Sequence, residues 1–322
     1  MINKIYSIEP LRQEHIEKIS NEINVDVILL NRDSFLNLVG EATFLDIRIL
    51  ICRDRDNVAD IIEVCANLEL IFIVSTGVEK LPFSQLMQRN IRVANTGGIN
   101  AGIMSEYAMG YILSQSVRVC ENLINQTRHY WKKFQCVDSL SGKNLLIVGA
   151  GRTGLLLAEK AKAFRMNIVG VKKHILQSSY LNFDRVISLN SIDEYLSWAD
   201  YVVCTIPLTP DTEYFFDGEK FSKMSSKCCF INISRGKLIR QNDLINALRE
   251  KKIKSAILDV YEAEPILPED ELWDVPNLYM SPHSSGRLEY FLDCAIDYFI
   301  SNVKAYNDGV RMPNELDLKN GY

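Results

Sequence analysis

The sequence predicts an α/β protein made of two doubly wound parallel-sheet units, Rossmann-like or flavodoxin-like, joined by two helices. Three observations support this fold class. The chain has 322 residues, which is more than one hydrophobic core usually organises. Short apolar runs alternate with helical stretches along the chain, the order that parallel strands and crossover helices produce. One strand-to-helix junction near mid-chain also carries three closely spaced glycines.

The first unit is expected to contain five parallel strands separated by helical segments. The runs that predict these strands are Lys4–Ile8, Val25–Leu30, Arg48–Cys52, Leu70–Ser75 and Ile91–Asn95. Between two of them, Asn57–Asn67 has its apolar residues at helical spacing. The segment Asn100–Val119 then reads as one long helix with a broad apolar face.

The second unit is expected to repeat this order with a new series of strands. Its strand runs are Asn144–Val148, Met166–Val171, Tyr201–Ile206, Cys228–Ile233, Ser255–Val260 and Leu278–Met280. The helical stretch Leu288–Ala305 then leads back to the first unit, which the C-terminus completes. We therefore expect residues 1–98 with 288–322 to form one unit and residues 99–287 to form the other.

Composition and charge exclude several classes of protein. The 36 basic and 41 acidic residues give a formal net charge of -5, which argues against a general nucleic-acid binder. No apolar run approaches the roughly 18 residues needed to cross a bilayer. The eight cysteines form no C-x-x-C pair, and the four histidines show no metal-ligand spacing. We expect a cytoplasmic protein with reduced thiols, no membrane segment and no metal site.

The mid-chain glycines form the pattern G-x-G-x-x-G between a strand and a helix. The strand Asn144–Val148 leads into Gly149, Ala150, Gly151, Arg152, Thr153 and Gly154. In this context Gly149 makes the tight turn, Gly151 lets the backbone approach a pyrophosphate, and Gly154 lets the helix pack on the strand. The diphosphate of a dinucleotide would bind the free N–H groups at the helix N-terminus.

The end of the next strand indicates which dinucleotide binds. NAD is normally met there by an Asp or Glu that accepts hydrogen bonds from the ribose 2′-hydroxyl. Here the strand ends in Val171, Lys172 and Lys173, and the nearest downstream acid is Asp184. Two ammonium groups would attract the 2′-phosphate of NADP through charge-assisted hydrogen bonds. The sequence therefore predicts NADP(H) as the preferred cofactor, with NAD(H) as the alternative.

Three charged residues follow the ends of later strands. They are Arg235 after Asn232–Ser234, Glu264 after Leu258–Val260, and His283 after Ser281–Pro282. Because ligands bind at the carboxyl ends of parallel strands, these side chains are expected to form an acid–base pair beside an anion anchor.

These segments resemble the D-isomer-specific 2-hydroxyacid dehydrogenases over nearly the whole chain. The resemblance is carried by the glycine loop, Asn232 to Gly236, Leu258 to Pro265, and Pro282 with His283. It implies that residues 99–287 bind NAD(P) and that the other unit binds substrate. Since the acidic residue usual after the second strand is replaced by Lys172, the chain is more similar to the NADP-dependent glyoxylate and hydroxypyruvate reductases of this family.

The resemblance also implies a role for each site residue. Arg235 would hold the carboxylate of a 2-keto acid and polarise its carbonyl. His283 would be the general acid, and Glu264 would hydrogen-bond to it and orient it. Further contacts would come from the residues near the substrate carboxylate, namely Thr76, Gly77 and Val78, and from those lining the cofactor, namely Pro207, Thr212, Ile233, Asp259 and His283 itself.

The predicted activity is the reduction of a small 2-keto acid, such as glyoxylate or hydroxypyruvate, to a D-2-hydroxy acid by NADPH in a homodimer. One alternative is an NAD-dependent D-lactate or phosphoglycerate-type dehydrogenase. Another, from a different class, is a dinucleotide-sensing corepressor-like binding protein, because such a protein can retain Arg235, Glu264 and His283.

Overall fold

The structure is a computed structural model that describes residues 3–37, 44–133, 136–173, 175, 180–319 and 321, without the side chains of residues 34, 36 and 37. The chain divides into two compact units. The first comprises Met1–Ile99 and Leu288–Tyr322, and the second comprises Asn100–Arg287. Both contain all-parallel sheets, of five and seven strands, which confirms the predicted fold class.

The first unit has a five-stranded sheet of order β2-β1-β3-β4-β5, the flavodoxin-like order. Its strands are β1 (Lys4–Ser7), β2 (Asp26–Leu29), β3 (Ile49–Cys52), β4 (Leu70–Ile73) and β5 (Arg92–Asn95). Its helices are α1 (Gln13–Ile23), α2 (Arg32–Asn37), α3 (Val58–Val64), α4 (Phe83–Gln88) and, from the C-terminal segment, α11 (Phe291–Asn307).

Both faces of this sheet are covered by apolar side chains. Strands β3 and β4 are buried at every residue, as their uninterrupted apolar runs require. Leu50 and Ile71 pack with residues of α3 and α4, whereas Ile51 and Phe72 pack with residues of α1 and α11. Alternate residues of one strand thus enter two separate cores.

The second unit has a seven-stranded sheet of order β12-β11-β10-β9-β6-β7-β8. Its strands are β6 (Asn144–Val148), β7 (Asn167–Lys172), β8 (Arg185–Ser188), β9 (Tyr201–Cys204), β10 (Cys229–Asn232), β11 (Ser255–Leu258) and β12 (Leu278–Met280). Its helices are α5 (Ala101–Ser116), α6 (Val119–Thr127), α7 (Arg152–Ala163), α8 (Asp193–Leu196), α9 (Gly218–Lys223) and α10 (Gln241–Arg249).

Strand order reverses between β6 and β9 in this sheet, because β7 and β8 lie on one side of β6 and β9 to β12 lie on the other. Such a reversal opens a crevice at the carboxyl ends of the strands, where open α/β sheets bind their ligands. The loop after β6 is the glycine loop, which therefore lies at this crevice.

Two elements differ from the sequence expectation. The predicted long helix Asn100–Val119 is wrong at its end, because Arg118 adopts a left-handed conformation with φ of 58° that separates α5 from α6. Strand β8 was not predicted, because it lies at the sheet edge and only Ile187 is buried. No helix in the described part of the chain is long and apolar enough to span a membrane.

Candidate active site

The glycine loop joins β6 to α7 with very little space around two of its residues. Gly149 has a φ of 123°, which L side chains rarely adopt, and a Cβ on it would lie 2.5 Å from Thr205 Oγ1. A Cβ on Gly154 would lie 2.0 Å from the carbonyl oxygen of Gly149. Both positions therefore require glycine for the strand and the helix to approach each other.

Gly151 has the opposite environment, since a Cβ on it would meet nothing within 4 Å. It is the N-cap of α7, and the first helical turn follows directly, beginning with the exposed Arg152 and the half-buried Thr153. The first N–H groups of a helix make no hydrogen bond within the helix. An open approach beside these N–H groups fits a diphosphate. The loop residues present therefore fit a dinucleotide cofactor.

Lys172 and Lys173 lie at the carboxyl end of β7, beside the glycine loop. Lys172 is half-buried, and its Nζ lies 5.0 Å from the centre of the Tyr180 ring. Lys173 Nζ contacts Asp211 Oδ2 at 2.9 Å. Asp184 accepts a hydrogen bond from the N–H of Ile168, near the other end of β7, and so lies away from the ribose position.

A tight turn after β9 contains Pro207 and Thr212. The Thr212 hydroxyl oxygen accepts a hydrogen bond from the Thr209 N–H and donates one to the Pro207 carbonyl, both at 2.8 Å. Thr212 is buried and Pro207 is exposed. The hydroxyl thus holds the turn in shape, and the turn presents Pro207 and Asp211 to solvent near the glycine loop.

Arg235 follows β10 in a turn that is organised by Asn232. The buried Asn232 side chain donates to the Arg235 carbonyl at 2.9 Å and accepts from the Ser234 N–H at 3.1 Å. A Cβ on the next residue, Gly236, would lie 1.8 Å from the Tyr261 carbonyl oxygen. Ile233 is buried, whereas Arg235 is half-buried and its Nη1 donates to the Ser234 carbonyl at 2.8 Å.

His283 and Glu264 form a direct pair. His283 Nδ1 lies 2.7 Å from Glu264 Oε2, and Glu264 Oε1 accepts a hydrogen bond from the Tyr261 N–H at 3.0 Å. The neighbouring Glu262 instead accepts from the Gln241 N–H at the start of α10. A carboxylate bound to Nδ1 leaves Nε2 to exchange a proton with a ligand, the arrangement of a general acid–base residue.

Asp259 is completely buried and holds the loop that carries His283. Its Oδ1 accepts from the Ser284 N–H and the Ser281 hydroxyl, each at 2.8 Å, and its Oδ2 accepts from the Ser285 N–H at 2.9 Å. Its carbonyl oxygen accepts from the His283 N–H at 2.9 Å. Both carboxylate oxygens are thus engaged within the loop, and the contact of Asp259 with a nicotinamide stays a prediction.

Two tyrosines complete this loop, and no motif in the sequence indicates either role. The Tyr261 hydroxyl lies 2.9 Å from the carbonyl oxygens of Leu258 and Ser281, and burial raises its pKa above the usual range, so it stays protonated. The Tyr107 hydroxyl lies 3.3 Å from Ser284 Oγ. Tyr107 lies in the segment Asn100–Val119, whose broad apolar face predicts core residues rather than hydrogen-bonding ones.

The remaining predicted residues, Thr76, Gly77 and Val78, lie in the first unit after β4. The Ser75 hydroxyl donates to the Gly77 carbonyl at 2.7 Å, and the Asn95 side chain donates to the Thr76 carbonyl at 3.2 Å. Thr76 is exposed and Val78 is buried. Side-chain hydrogen bonds therefore fix a loop whose backbone N–H groups are the predicted ligands.

One group of potential metal ligands occurs among the described residues, also in the first unit. Ligand atoms of Glu14, His15 and Asp293 lie within 4.8 Å of one another. The guanidinium of Arg12 contacts Asp293 and lies 2.9 Å from His15 Nε2. A protein cation, the Arg12 guanidinium, thus already contacts both carboxylates of this group.

Comparison with known proteins gives a family model that covers more than half of the chain. The model described as "D-isomer specific 2-hydroxyacid dehydrogenase, NAD binding domain" matches residues 109–285. Hydroxyphenylpyruvate reductase from Plectranthus scutellarioides is 32% identical over 259 residues, covering 78% of this chain and 79% of that protein. D-3-phosphoglycerate dehydrogenase from Methanocaldococcus jannaschii is 28% identical over 98% of this chain, but the match spans only 60% of its length.

Solved structures show the same architecture. A D-isomer-specific 2-hydroxyacid dehydrogenase family protein from Aeromonas salmonicida has a TM-score of 0.82 and 26% identity, covering 99% of this chain and 100% of that one. NADPH-dependent glyoxylate/hydroxypyruvate reductase from Sinorhizobium meliloti has a TM-score of 0.83 with the same coverage, but 21% identity, so it shows the fold alone.

Proposed function

This chain belongs to the D-isomer-specific 2-hydroxyacid dehydrogenase family, and on that basis we propose that it reduces a small 2-keto acid to the D-2-hydroxy acid with NADPH. Glyoxylate and hydroxypyruvate are the proposed substrates. The observation that carries the proposal is the 2.7 Å contact between His283 Nδ1 and Glu264 Oε2. Glu264 follows β11, His283 follows β12 and Arg235 follows β10. All three strands belong to the sheet in which the glycine loop follows β6.

The protein residues have separate tasks in this reaction. Arg235 binds the substrate carboxylate, since its planar guanidinium matches a carboxylate with two parallel hydrogen bonds. His283 donates a proton to the carbonyl oxygen as it becomes a hydroxyl, and Glu264 holds the imidazole in the orientation that leaves Nε2 facing the substrate. When bound, the reduced nicotinamide supplies the hydride to the carbonyl carbon.

The first unit contributes through its main chain. The loop of Thr76, Gly77 and Val78 offers backbone N–H groups, which bind carboxylates well because they carry partial positive charge. This assignment gives residues 1–98 with 288–322 the substrate-binding role and residues 99–287 the cofactor-binding role.

NADP(H) is the proposed cofactor, because two cations stand at the end of β7. Lys172 and Lys173 replace the carboxylate that NAD-binding proteins use for the ribose 2′-hydroxyl. The second candidate is an NAD-dependent phosphoglycerate-type or D-lactate dehydrogenase, and the match to the enzyme from Methanocaldococcus jannaschii over 98% of this chain favours it.

A homodimer in the cytoplasm completes the proposal. Between α5 and the start of β6, large apolar side chains are exposed, a pattern typical of protein interfaces. They are Val117, Val119, Leu123, Ile124, Tyr130, Trp131 and Val137. The cytoplasmic location is supported by five cysteine thiols buried in the cores.

The test is NADPH and NADH oxidation with a panel of 2-keto acids that includes glyoxylate, hydroxypyruvate, pyruvate and hydroxyphenylpyruvate. We expect the highest kcat/KM with NADPH and a small 2-keto acid, and chiral analysis should give the D-product. A preference for NADH would favour the second candidate. Binding of dinucleotide without turnover of any 2-keto acid would overturn the enzymatic proposal in favour of a corepressor-like sensor.

A further inference from the structure

The contact between Lys173 and Asp211 crosses the crevice in which the dinucleotide is proposed to bind. Lys173 follows β7 and Asp211 belongs to the turn after β9, and these two strands flank β6 on either side. The glycine loop follows β6. An ion pair between residues on the two flanking strands therefore passes over the end of the strand that carries the loop.

The turn around Asp211 is well defined although both side chains are exposed. The Thr212 hydroxyl closes this turn through the Thr209 N–H and the Pro207 carbonyl. The hydrogen bond from Lys173 lowers the pKa of the Asp211 carboxyl, which is therefore ionised at neutral pH. A negative charge is thus held beside one of the two ammonium groups that NADP is proposed to use.

A phosphate and this carboxylate compete for the same ammonium group. The 2′-phosphate carries up to two negative charges and accepts hydrogen bonds from Lys173 only when it approaches the carboxylate or displaces it. A ribose 2′-hydroxyl meets no such repulsion and can donate a hydrogen bond to a carboxylate. Both effects weaken the selection of NADP over NAD.

We propose that Asp211 is a specificity-determining residue that limits the preference of this protein for NADP(H) over NAD(H). The proposal rests on the proposed function, because it assigns Lys173 to the cofactor 2′-phosphate. It predicts that removal of one carboxylate strengthens binding of the phosphorylated cofactor and leaves the fold unchanged.

The test measures binding of cofactor fragments by isothermal titration calorimetry, so that it does not depend on turnover. The fragments are 2′,5′-ADP, which has the 2′-phosphate, and 5′-AMP, which lacks it. The variants are Asp211→Asn, Lys173→Gln and their combination. Glu213→Gln is the matched control, since it removes the same charge two residues away, from a side chain that lies 3.8 Å from Lys237.

We expect Asp211→Asn to lower the Kd of 2′,5′-ADP about three- to fivefold, the range of an exposed charge pair, and to leave the Kd of 5′-AMP within twofold. Lys173→Gln should raise the Kd of 2′,5′-ADP, and Asp211→Asn should have less effect in that background. The inference is overturned if Asp211→Asn leaves the Kd of 2′,5′-ADP unchanged or raises it, or if Glu213→Gln has the same effect.

The proposed function fails in a different way. If the wild-type protein binds 2′,5′-ADP no more tightly than 5′-AMP, the assignment of NADP(H) is wrong, whatever the effect of Asp211→Asn. If the wild-type protein prefers 2′,5′-ADP and Asp211→Asn does not change that preference, only the role of Asp211 is wrong.

Discussion

The strand ends of the two units are built in different ways. In the second unit, backbone atoms fill the space where side chains would otherwise lie, so a Cβ on Gly154 or Gly236 would come within 2.0 Å of a carbonyl oxygen. Side-chain hydrogen bonds close loops in both units, through Asn232 and Asp259 in the second and through Ser75 and Asn95 after β4 in the first. Steric restriction demands one residue type, whereas a hydrogen bond can be made by several.

This difference explains why the family pattern is concentrated in the second unit. Glycine at positions 149, 154 and 236 is the residue that fits, and the motif is therefore readable from one sequence. In the first unit, the described contacts include ion pairs such as Arg53 with Glu9 and Arg92 with Glu315. Such ion pairs leave no recognisable spacing of residues in the sequence.

The largest expected effect on kcat comes from a substitution in the second unit, and a matched substitution in the first unit should have little effect. His283→Ala should lower kcat about 10²- to 10⁴-fold, because a positioned general acid contributes roughly that much. Thr76→Val, in the first unit, should change kcat less than about threefold, since backbone N–H groups are the proposed ligands there. Steady-state kinetics with NADPH and the best 2-keto acid measure both. Near-normal reduction by His283→Ala would refute its assignment as the acid.

A second experiment compares two glycines of the glycine loop, one with no space for a side chain and one with open space. Gly154→Ala forces a methyl group against the Gly149 carbonyl and should destabilise the fold by about 1–3 kcal/mol. Gly151→Ala places its methyl group in open space and should unfold like the wild type, but with weaker NADPH binding. Thermal unfolding and fluorescence titration separate the two effects. A wild-type Tm for Gly154→Ala, or wild-type affinity for Gly151→Ala, would contradict the role given to that residue.

The smallest effect concerns a polar contact of the first unit. Arg92 binds both carboxylate oxygens of Glu315, at 2.7 and 2.8 Å, and lowers the pKa of Glu315. A lowered pKa in the folded state means that the stabilisation exists above the unfolded pKa and is lost as pH falls through the folded one. Glu315→Gln should cost about 1 kcal/mol at neutral pH and less below about pH 4.

Urea denaturation at two pH values measures this effect. Glu219→Gln is the control, because Glu219 pairs with Lys223 on the exposed surface of α9, where an ion pair contributes little. An equal loss for Glu315→Gln at both pH values would show that the charge of Glu315 is not the cause.

The sequence predicted the strands well where they are buried on both sides. The central strand β6 has the predicted bounds, because its apolar run ends where the strand ends. The edge strand β12, which is half-buried, also has the predicted bounds. The edge strand β8 lacked such a run, and the break at Arg118 has neither the glycine nor the proline that would have predicted it. Composition alone shows neither the order of strands nor the left-handed turn of a long polar residue.

The candidate site was predictable as a set of residues rather than as a set of contacts. Glu264 is the carboxylate that the sequence predicts, and it lies 2.7 Å from His283, whereas the neighbouring Glu262 contacts Gln241. The contact of Lys173 with Asp211 depends on β6 lying between β7 and β9, which one sequence does not show. The orientation of the Asp259 carboxylate toward Ser284 and Ser285 was unreadable for the same reason.

Asp259 is completely buried, so its contacts should respond less to ionic strength than the exposed contact of Lys173 with Asp211. Dissolved ions screen exposed charges, with a Debye length of roughly 10 Å at 0.1 M, but they act much less on a carboxylate that water does not reach. Added potassium chloride should therefore weaken the exposed contact of Lys173 with Asp211 more than the hydrogen bonds of Asp259 to the loop that carries His283.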